Sequence, residues 1–160
     1  MPRRRSVICD SIKTMASILN QKDYKSVGDR LARLTPSSKP TWGKMNAAQM
    51  MWHCAVAVQN ALGERSAASN GPFFLKWPPV RWLIIYKVPF PRNSPTAPEF
   101  IAPSGVDFSK SKADLVGALD RFHRRTGDYS PSPAFGNLSR EDYGALVYKH
   151  LSHHLTQFGV

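Results

Sequence analysis

Apolar side chains three or four residues apart recur in four separate stretches of this chain, and no stretch alternates polar and apolar residues long enough to form a sheet. The last stretch shows the pattern clearly, because Tyr143, Val147, Leu151 and Phe158 fall on one face of a helix. Four helices joined by long connections favour an all-α fold, built as a four-helix bundle.

Capping residues mark the ends of the first two predicted helices. The first begins at Asn20, where Asp23 completes a pair that resembles a capping box. The second runs from Trp42 or Asn46 to Leu62, just before a glycine that suits a helix C-terminus.

The C-terminal half of the chain carries the other two predicted helices. The third begins at Asp107 or Ser109 and ends at Gly127. The fourth begins at Ser139, with Asp142 three residues later in the position that supports an N-cap.

A long proline-rich connection separates the second and third predicted helices. Residues 71–103 contain eight prolines, so most of this segment cannot be regular helix. The apolar stretch Val80–Tyr86 within it is open to two interpretations, a short helix or a turn. Because a connection of this length in a compact domain is usually functional or well packed, we expect it to cover one end of the bundle and wall a pocket.

The length of 160 residues suits one domain, which we assign to residues 15–160, behind a loosely ordered basic leader at residues 1–14. Asp10 and Lys13 interrupt the leader, which makes it a poor signal peptide. The two cysteines form no disulfide or zinc pattern, so we expect a cytoplasmic protein. The longest apolar stretch is too short to span a bilayer, and we expect no membrane partner.

The chain carries a formal net charge of +11, which favours anionic partners such as nucleic acid, an anionic membrane surface or acidic small molecules. The basic residues are spread along the whole chain, and no zinc finger or aromatic ribonucleoprotein motif occurs. We therefore interpret the charge as a solvated basic surface and expect no nucleic-acid partner. A basic binding module for nucleic acid or regulation remains the alternative hypothesis.

Three of the five histidines lie in the closing sequence "YKHLSHHLTQFGV". His150 and His154 are four residues apart, which places both on the inward face of the last helix, where two imidazoles can bind one metal ion. A third ligand must come from another helix, and His53 in the second helix is the candidate. Two interpretations without a metal stay open. His53 can be a hydrogen-bonded core residue, and the C-terminal histidines can interact favourably with the helix dipole.

Several motifs resemble a known superfamily. "WGKMNAAQMMWHCA" resembles the second-helix signature of the DinB-like, or YfiT-like, metal-binding four-helix bundles, and the closing sequence is similar to their last helix. An uncharacterised branch, the domain of unknown function 1569, is the closer match. Over residue 15 to the end, the motifs of that branch are "RLARLTPSSKPTWGKM", "KVPFP", "PTAPEF", "FGNLS" and "HHLTQFG" in this order.

The resemblance implies an up-down-down-up bundle and a divalent metal, zinc or nickel by preference, held by His53, His150 and His154. His153 is left as a solvated or substrate-facing residue. One departure is Ser132 in "SPSP", where the resemblance leads us to expect a histidine. Three imidazoles leave open positions on a metal, as catalytic sites do.

The resemblance also implies an activity, because characterised relatives include transferases that use low-molecular-weight thiols, and other members are described as hydrolases. We expect a metal-dependent thiol transferase with a thiol as co-substrate, and a hydrolase as the alternative. The candidate catalytic groups are Gln49, Gln157 and Glu99. The alternative for each is a purely structural role in its helix or loop. The expected partner is an anionic or electrophilic small molecule, and a homodimer stays open.

Overall fold

The computed structural model describes residues 15–68 and 71–160. These residues contain five α-helices and two short 3₁₀ helices, and no strand. The α-helices are α1 (Gln21–Ala32), α2 (Ala47–Ala61), α3 (Pro78–Tyr86), α4 (Phe108–Arg124) and α5 (Arg140–Gln157). The 3₁₀ helices are Phe73–Lys76 and Pro98–Phe100. The all-α prediction is confirmed, with one α-helix more than expected. The predicted leader at residues 1–14 lies outside the described residues.

The N-terminus of α1 is held by a carboxylate and not by the expected capping box. The Asn20 side chain makes no capping bond to the helix backbone, and its amide donates instead to Asp23 Oδ2 over 3.1 Å. The same oxygen accepts the backbone N–H of Ser17 over 3.0 Å. Asp23 thus ties the incoming chain to the first turn, where a negative charge also meets the helix dipole favourably.

A reciprocal capping box begins α2 and decides between its two predicted starts. Asn46 Oδ1 accepts the backbone N–H of Gln49 over 2.9 Å, and Gln49 Oε1 accepts that of Asn46 over 3.0 Å. These bonds satisfy two N–H groups that a helix start otherwise leaves unpaired. Eleven of the fifteen residues of α2 are buried, so this helix has almost no solvent face and runs through the middle of the fold.

The stretch left open between helix and turn is a helix, α3. Pro78 and Pro79 occupy its first positions, where the missing N–H costs no hydrogen bond. The Lys149 ammonium of α5 donates to three carbonyls at the other end: Ile84, Ile85 and Val88. The 3₁₀ helix Pro98–Phe100 packs against α2. The proline-rich segment therefore rests on two of the long helices.

Side-chain caps also begin the last two helices. Asp107 accepts the N–H of Lys110 over 2.7 Å at the start of α4, and Ser139 accepts that of Asp142 over 3.1 Å at the start of α5. These starts agree with the sequence prediction, whereas α4 ends at Arg124, three residues before the predicted end.

The hydrophobic core lies between α1, α2, α4 and α5, with α2 packed most extensively against α4. Its largest fully buried side chain is Phe122, which stacks on Tyr129 with ring centroids 4.2 Å apart. Cys54 is also buried there, as expected of an inert thiol, and burial raises its pKa. Among the described residues, none of the helices combines the length and apolar composition needed to cross a bilayer.

Candidate metal centre

Three histidine side chains from two helices meet at one point in the fold. The Nε2 atoms of His53 and His150 are 3.0 Å apart, and those of His150 and His154 are 3.2 Å apart. His53 and His154 are buried, and His150 is half-buried. Within the described part of the chain, these three residues form the one cluster whose ligand atoms could hold a metal ion.

A backbone carbonyl fixes the ring of His53. Its Nδ1 lies 2.8 Å from the carbonyl oxygen of Phe100, in the 3₁₀ helix of the proline-rich segment. A carbonyl only accepts hydrogen bonds, so Nδ1 must carry the hydrogen and donate it. The other ring nitrogen, Nε2, then presents a lone pair to the cluster whenever the ring is neutral.

Gln157 fixes the ring of His154 in the same way. The Gln157 amide donates from Nε2 to the carbonyl oxygen of Trp42 over 2.7 Å, which turns its Oε1 toward His154 Nδ1, 2.9 Å away. Because that oxygen accepts, His154 Nδ1 donates, and His154 Nε2 also presents a lone pair to the cluster.

The three neutral imidazoles therefore have too few N–H hydrogens to make hydrogen bonds at both of the short contacts between their Nε2 atoms. His53 and His154 each present a lone pair, so the two short Nε2 contacts of His150 compete for at most one hydrogen. Protonation could supply another, but the environment opposes it. Burial is the main cause that lowers the pKa of all three imidazoles, to about 4 for His154, and the neighbouring imidazoles lower those of His150 and His154 further. A metal cation would bind the lone pairs of all three Nε2 atoms at once.

Two of the three separations between the Nε2 atoms have the length expected for ligands of one metal ion, and all three lie within 4.8 Å. Ligands about 2.1 Å from one ion at angles of about 90° to 110° have nitrogens separated by about 3.0 to 3.4 Å. The two Nε2 separations of 3.0 and 3.2 Å lie in this range. Oxygen acceptors on the far nitrogens of His53 and His154 are also the usual support of metal-bound imidazoles.

His153 lies beside the cluster and outside it. Its ring contacts the edges of Trp42 and Phe90, each with centroids 6.0 Å away. The Arg92 guanidinium covers Trp42 at 4.4 Å, and burial together with that charge lowers the pKa of His153. The side chains of His153, Trp42, Phe90 and Arg92 thus form an aromatic and basic region next to His154.

The three candidate catalytic groups lie in different places. Gln157 is buried and hydrogen-bonded to a member of the cluster, whereas the Gln49 side chain is engaged in the capping box of α2. Glu99 is exposed and lines a cavity of about 190 Å³ together with Phe100, whose carbonyl holds His53. The structure thus brings one of the three into hydrogen-bonding contact with the histidines.

Two supporting groups were missed at the sequence level because they are backbone carbonyls, those of Trp42 and Phe100. Any residue carries such a group, so no side-chain pattern marks it. For the Phe100 carbonyl, the one signal in the sequence was the length of the proline-rich segment, which indicated a role at the site.

A family model matches residues 14–159, with the description "protein of unknown function (DUF1569)". The chain belongs to this family. The resemblance to the uncharacterised branch is thereby confirmed, while the link of that family to the DinB-like bundles remains a proposal. Comparisons with curated proteins and with solved structures found no match. Because the family description names no activity, the function has to be argued from the site.

Proposed function

We propose that this protein binds one divalent metal ion, zinc or nickel, through the Nε2 atoms of His53, His150 and His154. The observation that carries the proposal is the convergence of these nitrogens, with the far nitrogens of His53 and His154 held by oxygen acceptors. Imidazole suits both metals.

We propose further that the metal serves catalysis, because three protein ligands leave at least one position for an exchangeable molecule. When bound, the ion would supply Lewis acidity that lowers the pKa of a thiol or a water molecule. The chain contributes the ligands, the carbonyl of Phe100 and the amide of Gln157, which orient two of the rings. Glu99 is the proposed acceptor of the thiol proton, and Gln49 stays a less supported candidate.

The proposed reaction is transfer of a low-molecular-weight thiol to an electrophilic substrate. The thiol loses its proton, its sulfur forms a bond to an electrophilic carbon of the substrate, and the leaving group departs with the electrons of the bond that breaks. A hydrolase would use water in place of the thiol at the same site. Thiol consumption with an alkyl halide, compared with hydrolysis of an activated ester, separates the two reactions.

The wider proposals follow from the family resemblance. We propose that the four longer helices form the up-down-down-up bundle of DinB-like proteins and that the protein acts in the cytoplasm on an anionic or electrophilic small molecule. A homodimer is compatible with this proposal. The net charge of +11 supports a second candidate, a basic module for nucleic acid, which predicts binding that weakens steeply with salt.

The metal proposal is tested with single alanine substitutions in tag-free protein. Substitution of His53, His150 or His154 is expected to reduce stoichiometric zinc or nickel binding at least about ten-fold, as loss of a ligand does. The matched controls are His123→Ala and His153→Ala, which are expected to keep the metal. His123 is engaged elsewhere, with its Nδ1 on the carbonyl of Ile18 over 2.9 Å.

Metal content is measured by elemental analysis and affinity by calorimetric titration. Loss of metal in the His153 variant with retention in the His150 variant would show the ligand set to be wrong. Equal behaviour of all five variants would show that the histidines form no metal site.

A further inference from the structure

A second concave site lies between the end of α2, the segment 71–86 and the segment 130–137. It is an open cleft of about 940 Å³. That volume is within the range of small-molecule sites, and none of the three histidine ligands lines it. The metal proposal leaves this cleft without a role.

One wall of the cleft is fixed by backbone hydrogen bonds. Ser132 and Gly136 exchange N–H to carbonyl bonds of 2.8 and 2.9 Å, and Ser132 Oγ accepts the N–H of Phe135 over 3.2 Å. Arg81 of α3 donates to the carbonyl of Asn137 over 2.9 Å and ties the neighbouring wall to it. The cleft is therefore largely formed before any ligand enters.

Three cationic side chains from two segments of the chain line the cleft: Arg65 after α2, and Lys76 and Arg81 in the segment 71–86. Among the described residues that line the cleft, the one carboxylate is that of Glu64, and its two oxygens accept from Arg121 over 2.7 and 2.8 Å. That pairing offsets its charge, and the Arg121 bond holds its pKa below the usual range. Positive charge therefore predominates among the described residues that line the cleft, which favours an anionic ligand.

We infer that this cleft binds the phosphate group of a small molecule. Three cations in one lining suit a dianion with three terminal oxygens better than a planar carboxylate with two. Arg81 uses one of its five N–H donors on Asn137, which leaves donors for an anion, and the Ser130 hydroxyl lies in the same lining.

A concave site favours a small molecule over a nucleic acid. Nucleic-acid binding uses an extended basic stripe that follows the phosphate backbone. Here the cations line a concave cleft, and the buried Ser132 and Phe135 belong to the same lining. The inference does not depend on the metal proposal, because the two sites share no ligand.

The test is calorimetric titration of the full chain with inorganic phosphate and with phenyl phosphate in phosphate-free buffer. Lys76→Gln and Arg65→Gln are each expected to weaken binding about ten-fold, as loss of one charge-assisted hydrogen bond does. The matched control is Lys110→Gln, which removes the same charge from α4, where Lys110 pairs with Asp114 at 2.8 Å. It is expected to leave the affinity within about two-fold, because a surface ion pair contributes little. His150→Ala is expected to leave phosphate binding unchanged.

Because the side chains of Lys76 and Arg65 are both exposed, both variants are expected to fold and to test the site. Equal weakening in the Lys110 control would overturn the inference, since it would indicate general charge attraction. Absence of phosphate binding by the unsubstituted protein would overturn it directly. Displacement of phenyl phosphate by a short DNA duplex, with a steep salt dependence, would assign the surface to nucleic acid instead.

Discussion

Gln157 determines which nitrogen of His154 faces the cluster. Its amide is fixed by the Trp42 carbonyl at one end and accepts from His154 at the other. Replacement by leucine keeps the side chain's approximate volume and removes both bonds. We expect Gln157→Leu to weaken zinc binding by about 10- to 100-fold, the usual effect of losing a group that orients a metal-bound imidazole. Calorimetric titration measures this change.

The matched control for that substitution is Gln21→Leu, at an exposed position of α1. It is expected to leave zinc affinity unchanged. Retention of full affinity by Gln157→Leu in a folded protein would show that the His154 ring is oriented by other contacts.

Single residues also show what the sequence could and could not predict at the site. His53, His150 and His154 were predictable, because helical spacing and the motif order place three imidazoles on facing helices. Gln49 is a different case, since its position one turn from His53 allowed a site role or an ordinary helix role, and its side chain takes part in the capping box of α2. A capping box and a site residue compete for the same side chain, and spacing alone does not decide between them.

At the scale of elements, Lys149 is the attachment point of α3. Its ammonium satisfies carbonyls at the C-terminal end of that helix, and it also lies 4.7 Å from the ring of Phe90. Burial lowers the pKa of Lys149, and the carbonyl partners favour its charged form. We expect Lys149→Met to loosen the segment 84–100, seen as faster cleavage there in limited proteolysis.

The matched control is Lys112→Met, because Lys112 donates to the carbonyl of Leu34 near the end of α1 in a comparable arrangement. It is expected to leave proteolysis of the segment 84–100 unchanged. Equal cleavage rates in both variants would show that Lys149 does not hold the segment in place.

The sequence pattern does not decide between helix and turn in α3, and this helix depends on hydrogen bonds and packing from distant parts of the chain. α3 has nine residues, too few to be stable alone in water. Only Ile85 in it is buried, so its own periodicity carries little information. Its helical state depends on Lys149 and on packing against α5, which are contacts between residues far apart in sequence.

At the scale of the whole molecule, the neutral histidine cluster makes stability depend on pH. The pKa of His154 is about 4 in the folded chain against an ordinary 6.5, so the unfolded chain binds more protons between these values. Stability is then fully present above about pH 6.5 and is lost as the pH falls toward 4. We expect metal-free protein to lose about 3 kcal/mol of unfolding free energy from His154 alone across this window.

Denaturant unfolding with a chelator present, at intervals between pH 7 and pH 4, measures the loss. The control is His154→Gln, whose stability should vary less over the same range. Glu64 contributes little there, because its lowered pKa places its loss below pH 4.5. A flat profile in the unsubstituted protein would show that the histidines take up protons over the same pH range in the folded and unfolded chains.

The separation of the ligands along the chain has a consequence for the order of events in folding. His53 and His150 are 97 residues apart, and the carbonyls that support the rings belong to two further connections. The three proposed ligands come together only after α2 and α5 have assembled, and their supports also need the two connections, so we expect the site to form late in folding. An ion that binds only this late arrangement stabilises the native state more than the transition state. It therefore acts mainly by slowing unfolding and adds little to the rate of folding.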